Sequence, residues 1–121
     1  MINSNFQNII KQLKSFRKER NWKKFHDPKS LSEAIVIEAS ELLELFLWKE
    51  KKEIKKELLK QNYKEEIADE IADTMNFLIL LADDLKIDIE EAIKNKITKN
   101  KKKYPVDKAK GKSTKYNKLL I

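Results

Sequence analysis

The sequence predicts an all-α fold, a helical bundle of about five helices whose core is completed by oligomerisation. Three observations carry this. The 121 residues include one glycine and two prolines, too little turn-forming material for a many-stranded sheet. Charged residues make up 39% of the chain, which suits long helices with solvated faces. Helices so few, with apolar flanks on several sides, need a second copy to cover them.

The first helix is expected from about Ser4 to Trp22, because Phe6, Ile9, Ile10, Leu13 and Phe16 recur at helical spacing. His26-Asp27-Pro28 breaks it, since a residue before proline disfavours helix. Ser30 then reads as an N-cap with Glu33 completing a capping box, opening a second helix to about Trp48. A short lysine- and glutamate-rich third segment covers roughly Glu50 to Lys60. Asn62 with Glu65 repeats the cap pattern and starts a fourth helix lasting to about Lys86. Asp88 with Glu91 caps a fifth, ending before Pro105. The chain thus divides into a domain over 1–105 and a basic tail over 106–121, flexible or ordered on a partner or ligand.

Composition narrows the function classes. The absence of cysteine excludes disulfides and thiolate metal ligands and fits a reducing cytoplasm. Residues 1–11 lack a charged region followed by an apolar one, so no signal peptide is expected. The longest nearly uncharged apolar run, Thr74 to Ala82, falls well short of the ~20 residues that span a bilayer. A soluble, cytoplasmic protein with no membrane partner is expected.

Charge is the informative feature. The net charge is +7, yet two stretches carry acids and no Lys or Arg. Leu31 to Trp48 holds Glu33, Glu38, Glu41 and Glu44. Glu65 to Leu85 holds Glu65, Glu66, Asp69, Glu70, Asp73, Asp83 and Asp84. These stretches are also the most apolar of the chain, and unpaired carboxylates on buried helices are costly unless a cation meets them.

On the fourth helix Glu66, Asp69, Glu70 and Asp73 fall on one stripe that runs on into Asn76, Phe77 and Leu80. The like-charge pairs Glu66–Glu70 and Asp69–Asp73 each cost a few tenths of a kcal/mol with no lysine to relieve them. On the second helix Glu38 and Glu41 lie three apart, with Cβ atoms roughly 5–6 Å from each other. Packed antiparallel, the two helices bring Glu38, Glu41, Glu70 and Asp73 face to face. Oxygen-only ligation suits Mg²⁺ or Mn²⁺; zinc calls for His or Cys. A di-iron site needs Glu-x-x-His pairs, and the sole histidine, His26, lies outside both motifs.

Glu38-x-x-Glu41, 28 intervening residues, then Glu70-x-x-Asp73 resembles the signature of the all-α MazG-like nucleoside triphosphate pyrophosphohydrolases. Within that family the chain is similar to the dCTP pyrophosphatase branch. The similarity rests on Arg17-Lys18-Glu19-Arg20-Asn21-Trp22-x-x-Phe25-His26-x-Pro28, Glu41-Leu42-x-Glu44-Leu45-Phe46-x-Trp48, Lys96-x-x-x-Asn100, Lys103-Tyr104-Pro105 and Lys115-Tyr116. Lys49 to Lys64 departs from the longer, glycine- and proline-containing linker of that branch.

The resemblance implies Mg²⁺-dependent hydrolysis of a nucleoside triphosphate, with dCTP or a modified dCTP first, to the monophosphate and pyrophosphate. It implies Glu38, Glu41, Glu70 and Asp73 as metal ligands, and one of Glu38, Glu41 or Glu44 as the group that positions the water. Lys96 and Asn100 would contact phosphate or sugar, with Lys103 and Tyr104 nearby. For the base, Trp22, His26 and Trp48 are the candidates, with Asn76 and Phe77 lining the sugar pocket; packing is the plainer role for Trp22, Trp48 and Phe77. Family members assemble, so a homodimer or homotetramer is expected.

The alternative is a non-catalytic basic helical module that binds nucleic acid through Lys94, Lys96, Lys99, Lys101, Lys102, Lys103 and the tail. No aromatic-interleaved basic strand or helix-turn-helix supports it, so nucleic acid is not an expected partner.

Overall fold

A computed structural model describes residues 4–119. Among them, every regular element is helical: α1 (Ser4–Glu19), a 3-10 turn (Lys23–Phe25), α2 (Pro28–Glu44), α3 (Lys51–Glu57), α4 (Gln61–Asp84), α5 (Ile89–Lys103), α6 (Val106–Ala109) and α7 (Tyr116–Leu119). The all-α expectation holds. The described residues form two compact units, one ending at Lys86 and the other beginning at Ile87.

In the first unit, α2 packs mainly on α4 and α1 leans on α4. The Tyr63 hydroxyl donates to the Leu45 carbonyl at 2.6 Å, while Glu38 sits beside Glu70. Later residues of α2 thus meet earlier residues of α4, so the pair runs antiparallel. The buried apolar residues are Leu31, Tyr63, Ile79 and Leu80. α4, ~36 Å long at 1.5 Å per residue, is enclosed through its second half, from Thr74 to Asp84. Burial on nearly all sides there is what its apolar run predicts.

Several boundaries differ from the sequence expectation, each for a local reason. α1 stops at Glu19: Asn21 adopts φ 55° and donates to the Lys18 carbonyl at 3.0 Å, a left-handed stop that leaves Trp22 outside the helix. The N-cap of α2 is Asp27, not Ser30. Its carboxylate accepts from the Ser30 N–H at 2.8 Å and the Ser30 hydroxyl at 2.9 Å, and Pro28 takes the first helical position, where its missing N–H costs nothing. α2 ends at Glu44, and Leu45–Trp48 turn away with Trp48 at φ 64°. α4 begins at Gln61 behind Lys60, without a side-chain cap, so the Asn62–Glu65 box does not form. α5 starts as expected, with Asp88 accepting from the Glu91 N–H at 3.1 Å.

The second unit is α5 followed by two helical turns, α6 and α7, which pack on each other. The rings of Tyr104 and Tyr116 meet edge-on at 6.1 Å, and the Lys103 ammonium lies 4.7 Å from the Tyr116 ring centroid.

Candidate active site

The antiparallel pairing of α2 and α4 decides which of the acids converge. Carboxylate oxygens of Glu38, Glu41 and Glu70 lie within 4.8 Å of one another, and all three residues are half-buried. Asp73, one turn beyond Glu70, lines the adjoining cavity and adds its charge to Glu38. Glu66 and Asp69, on the same stripe, are exposed. No ion pair among the described residues reaches any of the four acids that the spacing singled out.

That leaves repulsion uncompensated, and the electrostatics register it. Burial, then the neighbouring Glu41, Glu70 and Asp73, pushes the Glu38 carboxyl up to about 7. Burial and the same cluster raise Glu70 above its usual value. One oxygen of each, Glu38 Oε2 and Glu70 Oε2, is buried without a hydrogen-bond partner. A buried acceptor left unpaired costs about 1–3 kcal/mol. Hard oxygen donors with two orphaned lone-pair sites and excess negative charge are what a divalent cation satisfies.

Beside the acids opens a cavity of about 550 Å³, of the size that takes a small organic ligand. α1 supplies Ile9, Gln12, Leu13, Phe16 and Arg17; the segment between α1 and α2 supplies Trp22 and His26; Glu38, Asp73, Asn76, Phe77 and Leu80 complete it. His26 meets the Phe77 ring edge-on at 6.1 Å, and Trp22 meets Phe16 edge-on at 5.7 Å. The His26 Nδ1 is buried with no partner, and its pKa is lowered, first by burial and then by the Arg17 charge. The lining thus combines two carboxylates, Glu38 and Asp73, with the rings of Phe16, Trp22, His26 and Phe77.

Of the residues that the sequence singled out, Glu38, Glu41, Glu70, Asp73, Trp22, His26, Asn76 and Phe77 come together here. Glu44 sits exposed in the last turn of α2. Trp48 is 92% exposed and is not part of this cavity; its left-handed backbone carries the indole off the line of α2. Lys96, Asn100, Lys103 and Tyr104 belong to the second unit, Lys103 half-buried and the other three exposed.

Sequence reasoning gave no role to Arg17, which is 3% exposed and donates twice to Asp84, at 2.8 and 2.7 Å. It also gave none to Gln12, whose one signal is its place on the apolar side of α1.

Comparison with known proteins agrees with this geometry. The profile of the MazG-like family matches residues 34–119. The chain is 34% identical over 104 residues to dCTP pyrophosphatase 1 of Bos taurus, covering 86% of this chain and 62% of that protein. The Homo sapiens protein of the same name is also 34% identical over 104 residues, with 61% of its length covered. The chain thus spans about three fifths of the curated relatives it matches. A crystal structure of a pyrophosphatase from Archaeoglobus fulgidus superposes with a TM-score of 0.76 at 40% identity, covering 84% of this chain and 93% of that one.

Proposed function

The chain belongs to the MazG-like family, and from that premise we propose that it hydrolyses a nucleoside triphosphate to the monophosphate and pyrophosphate. A deoxycytidine nucleotide, dCTP or a modified dCTP, is the first candidate, by analogy with the named activity of its relatives. One observation carries the reading: three carboxylates lie within 4.8 Å, two of their oxygens buried and unpaired, and one of the three, Glu38, lines a cavity that also carries aromatic rings. A nucleotide combines the same two needs, a cation-neutralised phosphate chain and a flat base.

Glu38, Glu41, Glu70 and Asp73 would hold Mg²⁺, with Mn²⁺ as the substitute. When bound, such an ion neutralises phosphate charge and acidifies a coordinated water. The chain's own groups do the rest. Water adds to the α-phosphorus, the bond to the bridging oxygen breaks, and pyrophosphate leaves; the proton of the water passes to a carboxylate, Glu38, Glu41 or Glu44. Trp22 and Phe77 offer flat faces to the base, and His26 and Asn76 offer polar atoms to its edge or the sugar. On the family resemblance Lys96 and Asn100 would contact phosphate or sugar, with Lys103 and Tyr104 nearby.

The reading extends to assembly and location. Val36, Ile37, Leu43 and Leu47 on and after α2 are 44–67% exposed, and Trp48 stands out beside them. This apolar surface favours a homodimer or homotetramer. Among the described residues no helix is long and apolar enough to cross a membrane, in keeping with a cytoplasmic nucleotide-pool role.

The test is pyrophosphate release from a panel of ribo- and deoxynucleoside triphosphates, with Mg²⁺ and with chelator. Metal-dependent release, strongest for a cytosine deoxynucleotide, is expected. A folded protein silent across standard and modified nucleotides overturns the proposal.

A further inference from the structure

The aromatic wall of the cavity hangs on chain that is barely regular. Asn21 and Trp22 follow α1, one 3-10 turn covers Lys23–Phe25, and His26 precedes the cap of α2. Side chains on such a segment are held only as firmly as its ends. One end is the Asp27 cap. The other is Arg17, and it is held in an uncommon way.

The Arg17 guanidinium is buried and donates both terminal nitrogens to Asp84, Nη1 to Oδ2 at 2.8 Å and Nη2 to Oδ1 at 2.7 Å. A two-armed guanidinium–carboxylate pair fixes orientation as well as distance, which an ammonium cannot do. The carbonyl of the same Arg17 accepts the N–H of Trp22 at 3.1 Å. The residue that clasps α4 therefore also anchors the backbone of the first aromatic of the wall. Arg17 and His26 both line the cavity, whereas the acidic cluster is carried by α2 and α4.

We propose that the Arg17–Asp84 pair is the positioning element of the nucleotide-reading wall. By clasping the end of α1 to the end of α4 it fixes Trp22 against Phe16 and His26 against Phe77, and so sets how tightly the base is held without entering the phosphate chemistry. This deepens the nucleotide reading of the cavity and rests on it. Arg17 and Asp84 are positioning residues, acting through Trp22 and His26.

The chain supplies its own reporter, because His26 is its one histidine. The charged groups that act on it are Arg17 from α1 and Asp84 from α4; Glu38 from α2 and Asp73 from α4 line the same cavity, and Lys23, Lys24 and Asp27 flank it in sequence. Arg17 lowers the imidazole pKa and Asp84 raises it, over a lowering by burial. A proton NMR titration of the single imidazole, in metal-free full-length protein, reads the clasp without any assay of activity. Both Arg17→Gln and Asp84→Asn break the clasp, so both should release His26 from its buried place and move the midpoint up toward the ordinary 6.5. A wall that holds its place without the clasp feels only the lost charges, and the two midpoints then move in opposite directions, up for Arg17→Gln and down for Asp84→Asn.

The kinetic arm uses the panel substrate that the wild type hydrolyses best. Both variants should raise KM by about tenfold or more with kcat within about twofold. Where either fails to fold, Arg17→Lys decides: it keeps the charge and loses the two-armed bond, and its KM should rise likewise. Lys14→Gln, which removes the outer pair with Asp83, should leave both the titration and KM unchanged. An Arg17→Lys protein with wild-type KM, or His26 midpoints that shift in opposite directions in the two pair variants, overturns the proposal. Should the wild type hydrolyse no triphosphate, the functional reading falls while the titration still decides the clasp.

Discussion

Near the middle of α4, Glu70 meets Glu38 and Glu41 with no ion pair to a cation among the described residues; at the end of the same helix, Asp84 meets the forked guanidinium of Arg17. Both are carboxylate sites on one helix. In the first, burial and like charges push Glu38 up to about 7. In the second, hydrogen bonding to Arg17 outweighs burial and holds Asp84 below its usual 3.8. The difference teaches how a fold can carry acids in two ways: neutralised from within, where the purpose is position, or left repelling, where the neutralising charge comes from outside.

Mutations should separate the two sites by sign. The largest effect expected is on chemistry: Glu41→Gln should lower kcat/KM by about a thousandfold, the several kcal/mol that a bound divalent ion contributes to phosphoryl transfer, with the circular dichroism spectrum unchanged. Pyrophosphate release at saturating Mg²⁺ checks it, and retained activity would remove Glu41 from the site. Next, Asp84→Asn leaves Arg17 buried with an uncharged partner and should cost about 3 kcal/mol of stability in urea unfolding. Glu38→Gln should do the opposite in metal-free protein, adding up to roughly 1 kcal/mol by relieving repulsion and a buried charge. If both destabilise equally, the contrast between the sites is wrong.

The pH dependence sharpens the same contrast. Glu38 keeps its proton in the folded chain up to about 7, against an ordinary 4.5 when unfolded. Its contribution is therefore complete below 4.5 and is lost as pH rises through about 7. Asp84 runs the other way: its contribution is present above 3.8 and is lost as pH falls through its lowered folded value. The Tm of metal-free protein should fall between pH 4.5 and 7, Glu38→Gln should flatten that fall, and Mg²⁺ should reduce it. The smallest effect expected is Lys14→Gln, a half-exposed pair with Asp83, at no more than about 0.5 kcal/mol.

The acidic site was legible because its signal is local. Like charges at i, i+3 and i+4 without lysines mark a helix face, and two such faces on apolar helices can meet in few ways. The Asp88 cap of α5 was legible for the same reason. The start of α2 was misread because two local signals compete there. Ser30-x-x-Glu33 looks like a capping box, but Asp27-Pro28 places proline at the first helical position and leaves Asp27 to cap. The course of the chain at Trp48 escaped prediction, since nothing in Leu45–Trp48 announces a left-handed residue where an indole stands. The Arg17–Asp84 clasp lies beyond any window: the partners are 67 positions apart, and neither belongs to a spaced pattern that includes the other.

That separation has a kinetic meaning. α2, α3 and α4 follow one another closely, so the contacts that join α2 to α4 close short loops and form early. Bringing Arg17 to Asp84 closes a far longer loop, whose entropy is met only once α4 exists to receive α1. The clasp therefore belongs after the rate-limiting step of folding. Weakening it should leave refolding rates nearly unchanged and quicken unfolding, so that within the first unit α1 leaves before α2 and α4 part and returns after they meet.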